Sequence, residues 1–280
     1  MKKAVAIVGG GGRLGSWFVR FFTDQGYPVT VVEVGDNRAK KDIAMHHSII
    51  VCATPHRIAP DIIRSWSEVT GDEHIIVDLS SVKTHIASAC VGQKSEFLLL
   101  HPMWSPQVPT MKGQTLIVCS EGGVGVKSQE LLKLFEIAGA RLCYTTPDEH
   151  DRIMSMIQVV SHGALLAIGL THQWSGLSSE KLSQSESPVY RMMSAMLGRM
   201  LSHQSELYAD IATINPYGGE GLKSLRKAVE VIEEMVTRGD SDGYARLFAG
   251  VQSHRESEIS HAVEDSALMI AALVDCAVFS

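Results

Sequence analysis

Ala4-Val-Ala-Ile-Val8-Gly-Gly-Gly-Gly-Arg-Leu-Gly15-Ser-Trp-Phe-Val-Arg-Phe-Phe-Thr-Asp-Gln25 decides the fold. A short apolar run enters a glycine loop, and an amphipathic stretch leaves it. This is the order strand, G-x-G-x-x-G (Gly10, Gly12, Gly15), helix. Gly10 is expected to permit the tight turn, Gly12 to let the backbone approach a pyrophosphate, and Gly15 to allow close packing of helix on strand. The helix N-terminus then attracts the phosphates, with Arg13 and Leu14 completing the loop. A lone glycine pattern is weak, but a second apolar run ends in Glu33, about 20 residues on, where the dinucleotide fingerprint wants an acid. An ordinary glycine-rich turn would not need strand, helix and acid in register. Glu33 would accept hydrogen bonds from ribose hydroxyls and repel a 2′-phosphate, which favours NAD over NADP. Arg38, Lys40 and Lys41 pull slightly the other way unless they form a solvated helix face.

Outward from this unit, further apolar runs lie at Val29–Glu33, Ser48–Cys52, His74–Asp78, Glu96–Leu100, Gln114–Cys119 and Arg141–Tyr144. They are continuous rather than alternating, as strands covered on both faces are. Helical stretches between them imply βαβ units and a mostly parallel sheet. After Pro147 no β-branched runs appear. Asp148–Leu170 is apolar almost all round and is expected to be a buried helix, with more helices at about 178–184, 188–203, 205–213, 219–238, 241–253 and 256–278. The fold class expected is α/β: a Rossmann-type domain over 1–147, then an all-α domain over 148–280. The apolar end, Ser266 to Phe279, is expected to pack into the helical domain or across a subunit interface.

The 280 residues are 45% hydrophobic and 20% charged, with net charge −6 and pI about 6.0. That balance suits a soluble globular protein and disfavours bulk attraction to nucleic acid or an anionic membrane. No stretch approaches the roughly 20 apolar residues needed to span a bilayer, and the start does not read as a signal peptide. The five cysteines (Cys52, Cys90, Cys119, Cys143, Cys276) form no CxxC pair. They read as buried free thiols in a cytoplasmic protein.

In open parallel sheets, ligands bind beyond the carboxyl ends of the strands. Those ends carry Ala53-Thr54-Pro55-His56, Asp78-Leu-Ser-Ser81-Val-Lys83 and His101-Pro-Met-Trp104. Thr54 falls on the cofactor side. Ser81, Lys83 and His101 are expected to converge above a nicotinamide, where an imidazole can take a hydroxyl proton. A structural strand-end histidine is the alternative.

These pieces carry a resemblance. IVGGGGRLG, VDLSSVK, LLHPMWSP, DEHD…MIQVVSH, SPVYR…MLGRM and SELYADI, spanning residues 4 to about 212, resemble the prephenate dehydrogenase family, above all the enterobacterial kind fused to chorismate mutase. With no mutase segment ahead of the first strand, a free-standing dehydrogenase is expected. The resemblance implies that His101 accepts the proton of the substrate 4-hydroxyl and that Ser81 orients that hydroxyl. It implies that Lys83 shapes the substrate-side pocket and that Arg199, with Arg191 about two turns away on one helix, grips the carboxylates of a cyclohexadienyl dicarboxylate. Gln158 and His162 match residues near the family's active site, although a lone His162 would more often be a satisfied core histidine. No metal is implied. The implied reaction is NAD-dependent oxidative decarboxylation of prephenate to 4-hydroxyphenylpyruvate, in tyrosine biosynthesis, by a homodimer formed through the helical half.

Trp104-Ser105, Ser161 and Asn215-Pro-Tyr-Gly-Gly219 depart from the family pattern close to the expected pocket. They keep 4-amino-4-deoxyprephenate and arogenate open as substrates. A non-catalytic dinucleotide sensor would not need Ser81, His101 and Arg199 together. The β-hydroxyacid dehydrogenases are disfavoured because Asp148–Leu170 holds no lysine.

Overall fold

A computed structural model describes residues 3–33 and 35–278, the side chains of 275–278 excepted. It divides into two compact units: 1–155 with 209–217, and 156–208 with 218–280. The division falls between Ser155 and Met156 rather than at Pro147, and Ala209–Tyr217 returns to the first unit.

The first unit is built on seven strands: β1 (Val5–Val8), β2 (Val29–Val32), β3 (Ile49–Cys52), β4 (Ile75–Asp78), β5 (Glu96–Pro102), β6 (Thr115–Cys119) and β7 (Arg141–Thr145). Their order is β2-β1-β3-β4-β5-β6-β7. Every pair is parallel except β5 with β6. The chain crosses from β1 to opposite sides for β2 and β3, so the topological switch point lies at the ends of β1 and β3.

The continuous apolar strands have the reason expected. Val5 and Ile7 face one core with Trp17, Phe18 and Phe22 of α1 (Arg13–Asp24) and Phe135 of α5 (Val126–Ile137). Ala6 and Val8 face the other, with Ile63 and Trp66 of α3 (Ala59–Ser67) and Ile86 of α4 (Thr84–Cys90). Trp17 anchors the first layer, its indole N–H donating to the Val108 carbonyl at 2.8 Å. Cys52 and Cys119 are buried thiols, but Cys90 is half-buried and Cys143 exposed. Cys143 alternates outward on edge strand β7, against the expectation of burial; Cys276 lies outside the described side chains.

A charge pair sits inside this apolar packing. Lys83 and Asp78 are fully buried and in contact, Lys83 Nζ also donating to the Leu100 carbonyl at 2.7 Å. Asp78 accepts in addition from Ser80 N and Oγ at 3.1 and 2.8 Å. Beside it, α6 (Pro147–Met154) contributes Asp151. Its carboxylate accepts from Lys83 N, Thr84 N and Thr84 Oγ1 at 2.8, 2.8 and 2.6 Å. These are the orphan donors at the start of α4, so an aspartate from another helix does what a local cap would do.

The helical unit contains α7 (Ser161–Trp174), α8 (Ser179–Gln184), α9 (Pro188–Leu201), the start of α10 (Ser205–Ile214), and α11 to α13 (Gly218–Arg238, Ser241–His254, Glu256–Val278). Asp148–Leu170 is not the single buried helix expected. α6 passes through a π-helical stretch, Ser155–Val160, into α7, where no residue is buried. Leu166 and Trp174 are exposed. The whole run Pro147–Trp174 has a window of mean hydropathy 1.8, long and apolar enough to cross a membrane by length and composition, with 17% of that window buried. The sequence reading missed it because Gln158, Ser161 and His162 interrupt the apolar pattern. Toward the end, Leu268, Met269 and Val274 are exposed, and the rest of that apolar stretch lies outside the described side chains.

Removing one member of a buried ion pair strands the other, at a cost of about 3–5 kcal/mol. Lys83→Met should lower unfolding stability by that amount in a urea titration, and the double variant with Asp78→Leu should recover part of it. An unchanged midpoint for Lys83→Met would show that the pair does not hold this end of the sheet.

Candidate active site

The glycine loop starts where β1 ends. The left-handed backbone falls at Gly9 (φ +79°) rather than at Gly10. Gly10 is instead closed in by Val31, 2.9 Å from where a Cβ would stand. A Cβ on Gly15 would come 2.1 Å from the Gly9 carbonyl oxygen, so only glycine lets α1 pack onto the turn. Gly12 is the N-cap of α1 and offers no side-chain cap. Leu14 packs its side chain into the core, and Arg13 is exposed. Glu33 lies over the loop, its Oε1 accepting from Gly11 N at 2.5 Å. Arg38 precedes α2 (Lys40–His46) and is not part of a helix face. Its guanidinium is held by Asp36 and donates to the Val31 carbonyl at 2.9 Å. Lys40 and Lys41 are exposed. At the end of β3, Thr54 reaches the Gly9 turn, and its Oγ1 is buried without a hydrogen-bond partner. An uncapped helix start, glycine-only approach and an unpartnered buried hydroxyl fit a pyrophosphate-bearing cofactor.

The second cluster sits on β4 and β5. Asp78 is in register with Leu99, so Ser81 and His101 lie just beyond matching positions of neighbouring parallel strands. Ser81 is half-buried there. Lys83 was expected to shape a substrate-side pocket. It does not reach one: it has no exposure, and its ammonium is taken by Asp78, Leu100 O and Ser80 Oγ. The same turn leaves Ser81 half-buried and Lys83 wholly buried.

His101 is 3% exposed, and its Nδ1 lies 2.9 Å from Nε2 of His150, a residue that the sequence reading passed over. His150 is itself fully buried, with Nδ1 2.8 Å from Asp151 Oδ1. Burial lowers the pKa of His101 well below the ordinary imidazole value, and the charges of His150, Lys83 and His56 push the same way. Burial also lowers His150, with Asp151 opposing. For Asp151, burial alone would raise the pKa, but hydrogen bonds from His150, Thr84 and Lys83 outweigh it and hold the carboxyl below its ordinary range. His56, after β3, is buried with neither ring nitrogen partnered, and desolvation brings it down to about 4. The cluster is therefore a set of neutral imidazoles, the form in which a base is ready to accept. DEHD, visible at 148–151, was the signal for His150 and Asp151. It was read as a landmark because nothing in the spacing links it to β5.

In the helical unit, Arg191 and Arg199 share α9. Arg191 meets Glu186 at 3.6 Å, and Arg199 is exposed. Gln158 lies in the π-helical stretch, a geometry found often at functional sites. His162 packs edge-on against Tyr208, ring centroids 4.8 Å apart, and burial lowers its pKa. Trp104 is 8% exposed, and its ring lies 5.4 Å from that of Trp17 in the core. Asn215 is buried, its Nδ2 donating to the Asp151 carbonyl at 2.8 Å.

Comparison with known proteins adds three findings. Residues 146–250 match the family model for the prephenate dehydrogenase dimerization domain. The T-protein of Enterobacter agglomerans is 30% identical over 251 residues, 89% of this chain and 67% of that one. The 4-amino-4-deoxyprephenate dehydrogenase of Streptomyces pristinaespiralis is 27% identical over 264 residues, 87% and 88% of the two chains. The chain spans only 61% to 67% of the length of the T-proteins and of an archaeal relative that it also matches. Among solved structures, prephenate dehydrogenase from Aquifex aeolicus with hydroxyphenyl propionate and NAD+ superposes with a TM-score of 0.71 at 15% identity, over 92% of this chain and 98% of that one. That likeness is one of fold, and the sequence relationship carries the rest. The chain belongs to the prephenate dehydrogenase family.

Proposed function

We propose that this protein is an NAD-dependent dehydrogenase that oxidises prephenate with loss of its ring carboxylate, giving 4-hydroxyphenylpyruvate for tyrosine biosynthesis. The observation that carries this reading is His101: a buried, neutral imidazole at the tip of β5, next to the Ser81 tip of β4. NAD, when bound, supplies the hydride acceptor at ring C4. Gly9 to Gly15 and Thr54 hold its pyrophosphate, and Glu33 takes the ribose hydroxyls. Glu33, lying over the glycine loop where its carboxylate would repel a 2′-phosphate, supports NAD over NADP. His101 accepts the hydroxyl proton as the carbonyl forms, and Ser81 orients the hydroxyl. Arg199 and Arg191 bind substrate carboxylates, the role for which a forked guanidinium is suited. Gln158 and His162 take supporting positions on the substrate side.

A homodimer is part of the proposal. The family model that matches is a dimerization domain, and in the single chain α7 buries nothing while Leu166, Trp174, Phe248 and Val251 stand exposed. Faces this apolar are the mark of a subunit interface.

One relative favours a second substrate. The 4-amino-4-deoxyprephenate enzyme aligns over 88% of its length, against 61% to 67% for the T-proteins and the archaeal relative. The amino compound is therefore the rival, and arogenate, named for a solved structure of the same fold from Synechocystis, is the third.

The test is NADH formation with each of the three substrates. Prephenate should give the highest kcat/KM, and a higher value with either amino compound would reassign the substrate. His101→Asn should lower kcat by about 10²–10⁴-fold with binding largely intact. Retained turnover would remove His101 as the base. Arg199→Ala should chiefly raise KM; a fall in kcat alone would mean that the guanidinium acts only in the transition state.

A further inference from the structure

Asp151, His150 and His101 form a chain in which each hydrogen has one consistent place. Asp151 is ionised and accepts from three donors of α4, so its remaining capacity faces His150 Nδ1 at 2.8 Å. Nδ1 of His150 must then carry its hydrogen. A neutral His150 therefore presents a bare Nε2, and His101 Nδ1, 2.9 Å away, must be the donor to it. That leaves the lone pair of His101 on Nε2. Without a fixed partner, an imidazole exchanges its hydrogen between the two nitrogens, and only one of those forms is a base on the Nε2 side.

We propose that His150 is a positioning residue that fixes His101 in the Nδ1–H form and then receives the positive charge generated when His101 takes the substrate proton. The inference rests on the reading of His101 as the base. The step balances in protons. The hydroxyl proton bonds to His101 Nε2, and the His101 Nδ1 proton moves to His150 Nε2. His101 is left neutral, carrying Nε2–H, and His150 becomes an imidazolium against the Asp151 carboxylate. After product leaves, the protons return along the same path to water.

The surroundings favour this placement of charge. His101 faces Lys83, His56 and His150, which disfavour a cation, and it is wholly buried. His150 faces Lys83 as well, but also Asp151 and Asp78. Asp151 is itself pinned by the α4 amides, the kind of preorganised dipole and charge that needs no rearrangement when the cation forms. Asn215 holds the same turn from the other side through the Asp151 carbonyl.

Long-range proton–nitrogen NMR on the histidine-labelled full chain reads the tautomer without any activity. His101 should carry its hydrogen on Nδ1, and an Nε2–H form in the wild type would overturn the proposal. His150→Gln keeps an acceptor oxygen for His101 Nδ1 but cannot take the proton. It should preserve the tautomer, lower kcat by about tenfold with KM nearly constant, and move the acid limb of the kcat profile to lower pH, because buried His101 alone must then carry the charge. His150→Leu should lose the tautomer as well and lower kcat by about 10²-fold or more. Should the Leu variant fail to fold, the Gln variant and the wild-type spectrum still decide. Both variants within twofold of wild-type kcat would overturn the relay. If instead His101→Asn keeps its turnover, the reading of the base fails, and the tautomer measurement stands apart from it.

Discussion

The buried charges at the carboxyl ends of β4 and β5 set the terms for everything near them. Asp78 and Lys83 are in contact inside an apolar core, where Ser80 donates to the carboxylate and the Leu100 carbonyl accepts from the ammonium. Lys83 spends its ammonium on Asp78 and on the Leu100 carbonyl, one residue before His101. The lysine thereby ties the tip of β4 to the tip of β5 and fixes the spacing between Ser81 and His101. Its backbone amide, with that of Thr84, is taken by Asp151, which brings α6 against the same knot. The histidine next to Asp151 then has little freedom: its ring is aimed at His101 by the carboxylate of its own neighbour. A single compact network thus places His101, His150 and the first helix after the sheet.

Most of the scaffold was legible in the sequence, and for identifiable reasons. Strands buried on both faces read as unbroken runs of Val, Ile and Leu. The strands from Val5–Val8 to Arg141–Thr145 accordingly fall within one or two residues of their expected limits. The later helices were as plain, since Pro188, Ser178 and Asp240 mark their starts by the ordinary chemistry of helix N-termini. What periodicity does not encode is what lies against a face. Asp148–Leu170 has the pattern of a core helix, yet α7 has no cover within its own chain. The pattern records that the surface is to be buried, and it is silent on whether the covering surface belongs to the same molecule.

The site was half legible. Residues at strand ends could be listed because the rule for open sheets is positional. Which way each side chain turns is not positional. Lys83 points into the core and Ser81 does not, although two residues separate them. The Gly9–Gly12 run offered several ways to set the glycine pattern, and only the backbone assigns the left-handed turn to Gly9. His150 stands in the quoted DEHD stretch, but its place in the site depends on a contact with a residue 49 positions away in sequence. No local spacing rule can find such a pair.

The departures from the family pattern bear differently on substrate choice once they are placed. Trp104 belongs to the aromatic core of the first unit, its ring tilted against that of Trp17. Asn215 is spent on the Asp151 carbonyl and on Tyr217 N, and Tyr217 itself donates to Asp148 at 2.5 Å, so that stretch braces α6. Ser161 is exposed and adjacent to His162, on the helix that follows the π-helical stretch. Two of the three departures are thus absorbed by packing and hydrogen bonding within the first unit, and the third lies on the helical unit.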